Sequence, residues 1–272
     1  MYLTFYNLTE QPFNVTPDPK FLYMTQQHGT ALNHLLFAIR RRRGFVLLTG
    51  EVGTGKTTLC RKLLERLGPE YHTALVLNPM LTATQLLRGI VEEFGVECNR
   101  RDRLGYLTAL NSFLLEANSQ SQDTVLIIDE AQDMSVGLLE MVRLLSNLET
   151  NSRKLLQIVL SGQPELRAKL RRPTLRQLTQ RITVSYHLSE MSRSDTAAYI
   201  SHRLSIAGSN GGLRFEDAAV DEIYEYSGGT PRLINTVGDK ALLAAYVKGA
   251  SSISGEIVRM AIGDLNGVAC EV

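Results

Sequence analysis

Three cysteines are all the chain has, and Cys60, Cys98 and Cys270 stand far apart with no C-x-x-C pair. That spacing excludes a disulfide framework and a cysteine-held zinc site. No apolar run approaches the roughly 20 residues that a membrane-spanning helix needs. The first forty residues also lack the basic start, apolar stretch and small-residue cleavage site of a secretory signal, so a cytoplasmic location is expected. Neither sign of charge prevails, since 29 Lys and Arg stand against 28 Asp and Glu and leave a formal charge of +1. No global field therefore draws the chain to nucleic acid or anionic lipid. None of the five histidines falls at a metal-ligand spacing.

What is present suits a folded globular chain. With 272 residues, 44% of them apolar and 21% charged, the chain can build one sizeable core and a smaller second unit. Its one dense basic run, Arg40 to Arg43, ends the amphipathic stretch "GTALNHLLFAI". That run reads as a solvated helix terminus, where cations complement the negative end of the helix dipole.

The elements then fall into a recognisable order. Residues 1–27, rich in proline and aromatics, predict an extended arm packed on a core. After a helix over 28–42, "GFVLLTG" reads as a buried strand running into a glycine loop. The pattern continues with a helix over 56–67, a strand "TALVLN", two helices, the apolar strand of "TVLIIDEAQ", a helix over 135–148, a strand "LLQIVL", two short helices around Pro164 and Pro173, and a strand "ITVSYHL". Strands alternating with helices predict a parallel sheet. Beyond Leu188 four helices are expected with no strand, starting at Ser192 and near Glu216, Pro231 and Ser254. The expected organisation is thus an arm over 1–27, an α/β domain over 28–188 and a helical domain over 189–272.

The glycine loop carries the first chemistry. "GEVGTGKTT" contains G-x-x-x-x-G-K-[ST], formed by Gly50, Glu51, Val52, Gly53, Thr54, Gly55, Lys56 and Thr57, with Thr58 beyond. Glycines let the backbone curl until successive N–H groups face one anion, and the following helix adds the positive end of its dipole. Lys56 would bridge the terminal phosphates of a nucleotide, and the Thr57 hydroxyl would ligate Mg²⁺. "LIIDE" supplies the second half, with Asp129 placed to hold the Mg²⁺ shell and Glu130 to orient and deprotonate an attacking water. Two adjacent acids alone would fit a surface turn. A fully apolar strand that ends in both, downstream of a phosphate loop, favours hydrolysis.

The phosphate loop, "LIIDE", a polar residue after the fourth strand, an arginine before the fifth and "GGTPR" in a helical segment together resemble the AAA+ ATPases. The resemblance implies a P-loop NTPase with a five-stranded parallel core and a C-terminal four-helix lid. It also implies roles by position. Gln163, with Ser161 as its rival, would sense the γ-phosphate. Arg181, with Arg176 as its rival, would reach a neighbouring subunit's nucleotide. Arg232 would sense the γ-phosphate in cis, Asn78 would restrain the catalytic glutamate, and His28 would lie near the adenine.

"PFNVTPDPKFLY", "ALNHLLFAI", "GFVLLTGEVGTGKTTL", "DEAQ", "LSGQPEL", "LTQRI" and "GGTPRLIN" resemble more narrowly the ATPase segment of the bacterial general secretion pathway A (ExeA) and MshM group. This implies ATP or ADP and Mg²⁺ as ligands, self-association into a ring or dimer, and a membrane-bound ExeB-type partner. Peptidoglycan would be reached only through a region absent from this sequence, so either a truncated fragment or a short MshM-like member is expected. The competing expectation is a DNA-associated regulator resembling transposition helper ATPases, with the four arginines meeting phosphates. Such a contact would weaken steeply with salt. A nucleotide-operated switch without turnover fits poorly with Glu130, and a small-molecule kinase gives the sensor and lid arginines no purpose.

Overall fold

A strand buried on both faces reads as an unbroken apolar run, whereas a strand at a sheet edge alternates. Both kinds are present. The computed structural model describes residues 2–14, 19–149 and 153–267. Cys270 and the Pro17–Asp18 part of "PDPKFLY" lie outside them.

In chain order the helices and strands of the first half are α1 (Tyr2–Phe5), α2 (Gln26–Arg40), β1 (Phe45–Gly50), α3 (Lys56–Arg66), β2 (Tyr71–Val76), α4 (Ala83–Glu93), α5 (Arg103–Ser119), β3 (Asp123–Ile128) and α6 (Val136–Leu145). Then come β4 (Leu156–Gly162), α7 (Pro164–Leu170), α8 (Arg176–Thr179), β5 (Ile182–Leu188), α9 (Arg193–Ile206), β6 (Arg214–Phe215), α10 (Asp217–Ser227), α11 (Pro231–Val247), β7 (Ser252–Ile253) and α12 (Gly255–Leu265). They divide into two compact units. One gathers Met1–Gln26, Val52–Thr58 and Ser189–Val272, and the other Gln27–Glu51 and Leu59–Leu188.

The second of these holds a parallel five-stranded sheet in the order β2-β3-β4-β1-β5 among the described residues. Every residue of β1 and β4 is buried, as are all but the first of β3, so the three central strands are those that read as mostly apolar runs, with Gln157 a buried polar break in β4. The edge strands β2 and β5 are half-buried. Side chains such as Leu87, Ile90, Leu126, Ile158 and Leu160 form the core with α4 to α8. Each fully buried leucine or isoleucine contributes about 1.5–3 kcal/mol of apolar transfer. Helix starts follow the capping residues. Thr82 and Gln85 form the expected reciprocal box at α4. Asp102 accepts the Gly105 N–H at 2.8 Å at the start of α5, and that bond holds its carboxyl below the usual range. The basic run behaves as a helix terminus. Arg40, Arg41 and Arg43 are exposed, while the guanidinium of Arg42 donates to Asp123 at 2.8 Å.

The other unit packs α9, α10, α11 and α12 around Tyr199, Ile223, Ile234, Val237 and Val258. The helix starts are as expected, with Ser192 and Asp195 in a capping box and Ser254 accepting the Ile257 N–H. The absence of strands is not. Arg214–Phe215 and Ser252–Ile253 pair in parallel as β6 and β7, a contact too short to leave any periodicity. The N-terminal segment also differs from an extended arm, since it opens with α1 and contains a 3-10 turn over Pro19–Phe21. Its Tyr6, Leu8, Phe13 and Phe21 join the core of this unit. Buried Arg203 fastens it, donating to the carbonyls of Pro12 and Asn14 while its guanidinium stacks 4.7 Å from the Phe21 ring centroid.

Candidate active site

All five strands run the same way, so their carboxyl ends share one edge of the sheet, where ligands of open α/β sheets bind. At that edge Asp129 still keeps the ladder, its N–H donating to Val76 O at 2.8 Å. Its carboxylate is buried at 1% exposure. The hydroxyl of Ser161, on β4, donates to Asp129 Oδ1 at 2.6 Å, and the backbone N–H of Glu130 donates to the same oxygen at 3.0 Å. A buried carboxylate needs such donors, because an ionised group out of water is otherwise very costly.

The chain then turns sharply. Glu130 adopts φ 50° and ψ 36°, a left-handed conformation that costs a non-glycine residue about 1–2 kcal/mol. The turn brings the Glu130 carboxylate to two amides. Gln132 Nε2 donates to Glu130 Oε2 at 2.7 Å, and Gln163 Nε2 reaches the same oxygen at 3.4 Å. Gln132 Oε1 accepts the backbone N–H of Gln163 at 3.0 Å. The ammonium of Lys169, on α7, donates to the carbonyls of Gln132 and Met134, the latter at 2.8 Å.

The phosphate loop leaves the sheet two strands from β3. Thr49 of β1 stands in register with Gly162 of β4, and its buried hydroxyl lies 3.1 Å from His187 Nδ1. Gly50 ends the strand, and Gly53 and Gly55 take φ of +81° and +95°. Helix α3 begins at Lys56. Thr54 and Lys56 are buried, Gly53, Gly55, Thr57 and Thr58 are half-buried, and Glu51 and Val52 are exposed. A Cβ on Gly53 would lie 2.6 Å from Arg232 Cβ and 3.1 Å from Thr230 Cγ2. The start of α11 therefore rests directly on the loop, and only glycine fits there on both conformation and space.

The remaining expected site residues stand as follows. Asn78 was expected to end the second strand and restrain the glutamate. It sits two residues past β2, is exposed, and accepts the Met80 N–H at 3.2 Å within its own loop. The strand stops earlier than its apolar pattern suggests, and the contact to Glu130 falls to Gln132 and Gln163. Arg181 donates to Ser146 Oγ at 2.6 Å and to Arg143 O at 3.5 Å, at the carboxyl end of α6, whereas Arg176 is exposed. His28 is buried on α2. Gln132 and Lys169 were not singled out from the sequence. The only signal for the former was its place two residues after the acids in "DEAQ".

A family model described as an AAA domain matches residues 39–170. An AAA domain is present over those residues, just under half of the chain. Over its whole length the chain is 46% identical to "General secretion pathway protein A" of Aeromonas hydrophila, of which it spans 50%, so the chain covers about half the length of that relative. Among solved structures, the Aeropyrum pernix ORC2 protein, in ADPNP-ADP complexes, is 18% identical with a TM-score of 0.73, over 96% of this chain and 73% of that one. Cdc6p from Pyrobaculum aerophilum is 18% identical with a TM-score of 0.67 over 94% and 72%. The Thermotoga maritima RuvB Holliday junction branch migration motor is 21% identical with a TM-score of 0.59 over 89% and 70%. These three share the fold. The resemblance drawn from the motifs is borne out, as is a P-loop NTPase core of five parallel strands.

Proposed function

We propose that this chain binds and hydrolyses ATP as the motor segment of a general secretion pathway, and that hydrolysis drives assembly of a membrane-bound partner complex. One observation carries the hydrolytic part. Two adjacent acids at the end of β3 are held for different tasks, Asp129 buried and fixed by Ser161 and Glu130 turned away by its left-handed backbone.

The donor set fits a hard divalent cation. Mg²⁺ takes oxygen ligands and binds through one or two protein oxygens plus substrate phosphates, and the Asp129 carboxylate and Thr57 hydroxyl are of that kind. When bound, the ion would neutralise charge developing on the transferred phosphoryl group. The loop N–H groups and Lys56 would hold the phosphates, and Arg232, already against Gly53, would contact the nucleotide from α11. Glu130 would align a water and accept its proton, a contribution of about 10²–10⁴ in rate. His28, on the helix leading into β1, is the candidate for the adenine side. Gln163 and Ser161 divide the sensing role, since each bonds a different one of the two acids.

The secretion assignment rests on the identity to general secretion pathway protein A. Self-association, a membrane-bound partner and work at the cytoplasmic face of a membrane follow from the same likeness. No helix among the described residues is long and apolar enough to cross a membrane. The test is Glu130→Gln. The variant should bind ATP with unchanged affinity while its turnover falls by about 10²–10⁴, and undiminished turnover would reject the assignment.

A further inference from the structure

We propose that Gln132 is the positioning residue for Glu130, transmitting the place of the β4–α7 junction to the water-activating carboxylate. The proposal rests on the hydrolytic reading above and adds a residue to it.

The orientation of the Gln132 amide follows from its partners. A backbone N–H can only donate, so the atom 3.0 Å from Gln163 N must be the amide oxygen. The NH₂ group is then committed to carboxylates, Glu130 Oε2 at 2.7 Å and Asp133 Oδ2 at 3.2 Å. One side chain thereby spans from the first residue after β4 to the acid after β3. The approach is close because residue 162 has no side chain. A Cβ there would lie 2.7 Å from Gln132 Oε1 and 3.3 Å from Gln132 N. The backbone of the span is fixed as well, with Lys169 of α7 holding the carbonyls of Gln132 and Met134.

The division between the two oxygens of Glu130 sets the sign of the effect. Oε2 takes both amides. Among the described residues no hydrogen bond reaches Oε1, which is left to face a water. The pinning therefore aims the carboxylate rather than blocking it, and its loss should slow turnover. Displacing a reacting group by about 1 Å can cost on the order of 10²-fold. Nucleotide affinity should not change, because Gln132 faces the acid and has no part in the phosphate loop.

The experiment compares Gln132→Met, which keeps length and packing without the amide, and Gly162→Ala, whose added methyl displaces it. ATP turnover and binding of a fluorescent ATP analogue are measured beside wild type and Glu130→Gln. Both variants should lose about 10–100-fold in kcat, with KM and analogue affinity within twofold of wild type. A wild-type kcat in Gln132→Met, or a loss appearing in KM and affinity, overturns the positioning role. If Glu130→Gln itself turns over normally, the hydrolytic reading fails instead, so the two failures are distinct.

Discussion

At the end of β3 the geometry is held by side chains: Ser161 on Asp129, Gln132 and Gln163 on Glu130, Lys169 on the turn that joins them. At the end of β1 it is held by their absence, with Gly53 and Gly55 in left-handed conformations and α11 resting where a Cβ would stand. The first arrangement fixes where a charge points. The second lets the backbone curl as a phosphate cradle needs. A carboxylate can be aimed by bonds of about 1.5–3 kcal/mol each, whereas a curled backbone admits almost no substitution.

That contrast predicts a larger penalty at the loop. Gly53→Ala forces a strained conformation costing about 1–3 kcal/mol and adds an overlap with Arg232. A loop that shifts to relieve both no longer converges its N–H groups. ATP affinity should fall roughly 10- to 100-fold, since about 1.4 kcal/mol is tenfold. Titration calorimetry showing wild-type affinity would mean that the loop is not held by the contact seen at Gly53.

A smaller effect separates two roles for Arg181. Its guanidinium is engaged at the carboxyl end of α6, so Arg181→Ala should lower unfolding stability by about 1 kcal/mol in urea titrations, at any protein concentration. Unchanged stability together with loss of a concentration-dependent rise in specific activity would instead mark it as an arginine donated to a neighbouring subunit. The exposed Arg176 would then be the residue without such a role.

How much of this the sequence discloses follows from the same contrast. Glycine spacing is a direct record of backbone conformation, so the loop from Gly50 to Thr57 is readable residue by residue. Mostly apolar runs likewise place β1, β3 and β4 in the interior of the sheet. The Glu130 network is not readable in that way. It depends on a left-handed turn at a glutamate, which no propensity favours, and only that turn brings a residue two positions ahead back onto the carboxylate. Asn78 shows the converse, because a polar residue near a strand end suggested a contact that the loop's own N–H took instead. The strands β6 and β7 are two residues each, too short for an alternating pattern to show.

The central proposal is that the loop after β1 and the acids after β3 would serve one magnesium-bound triphosphate. The most direct measurement is the affinity of purified protein for ATP with and without Mg²⁺, beside Lys56→Ala and Asp129→Ala. The account predicts binding that magnesium strengthens in the wild type, a loss of most affinity in Lys56→Ala and a loss of the magnesium effect in Asp129→Ala. Binding indifferent to magnesium, or unaffected by either substitution, would contradict it.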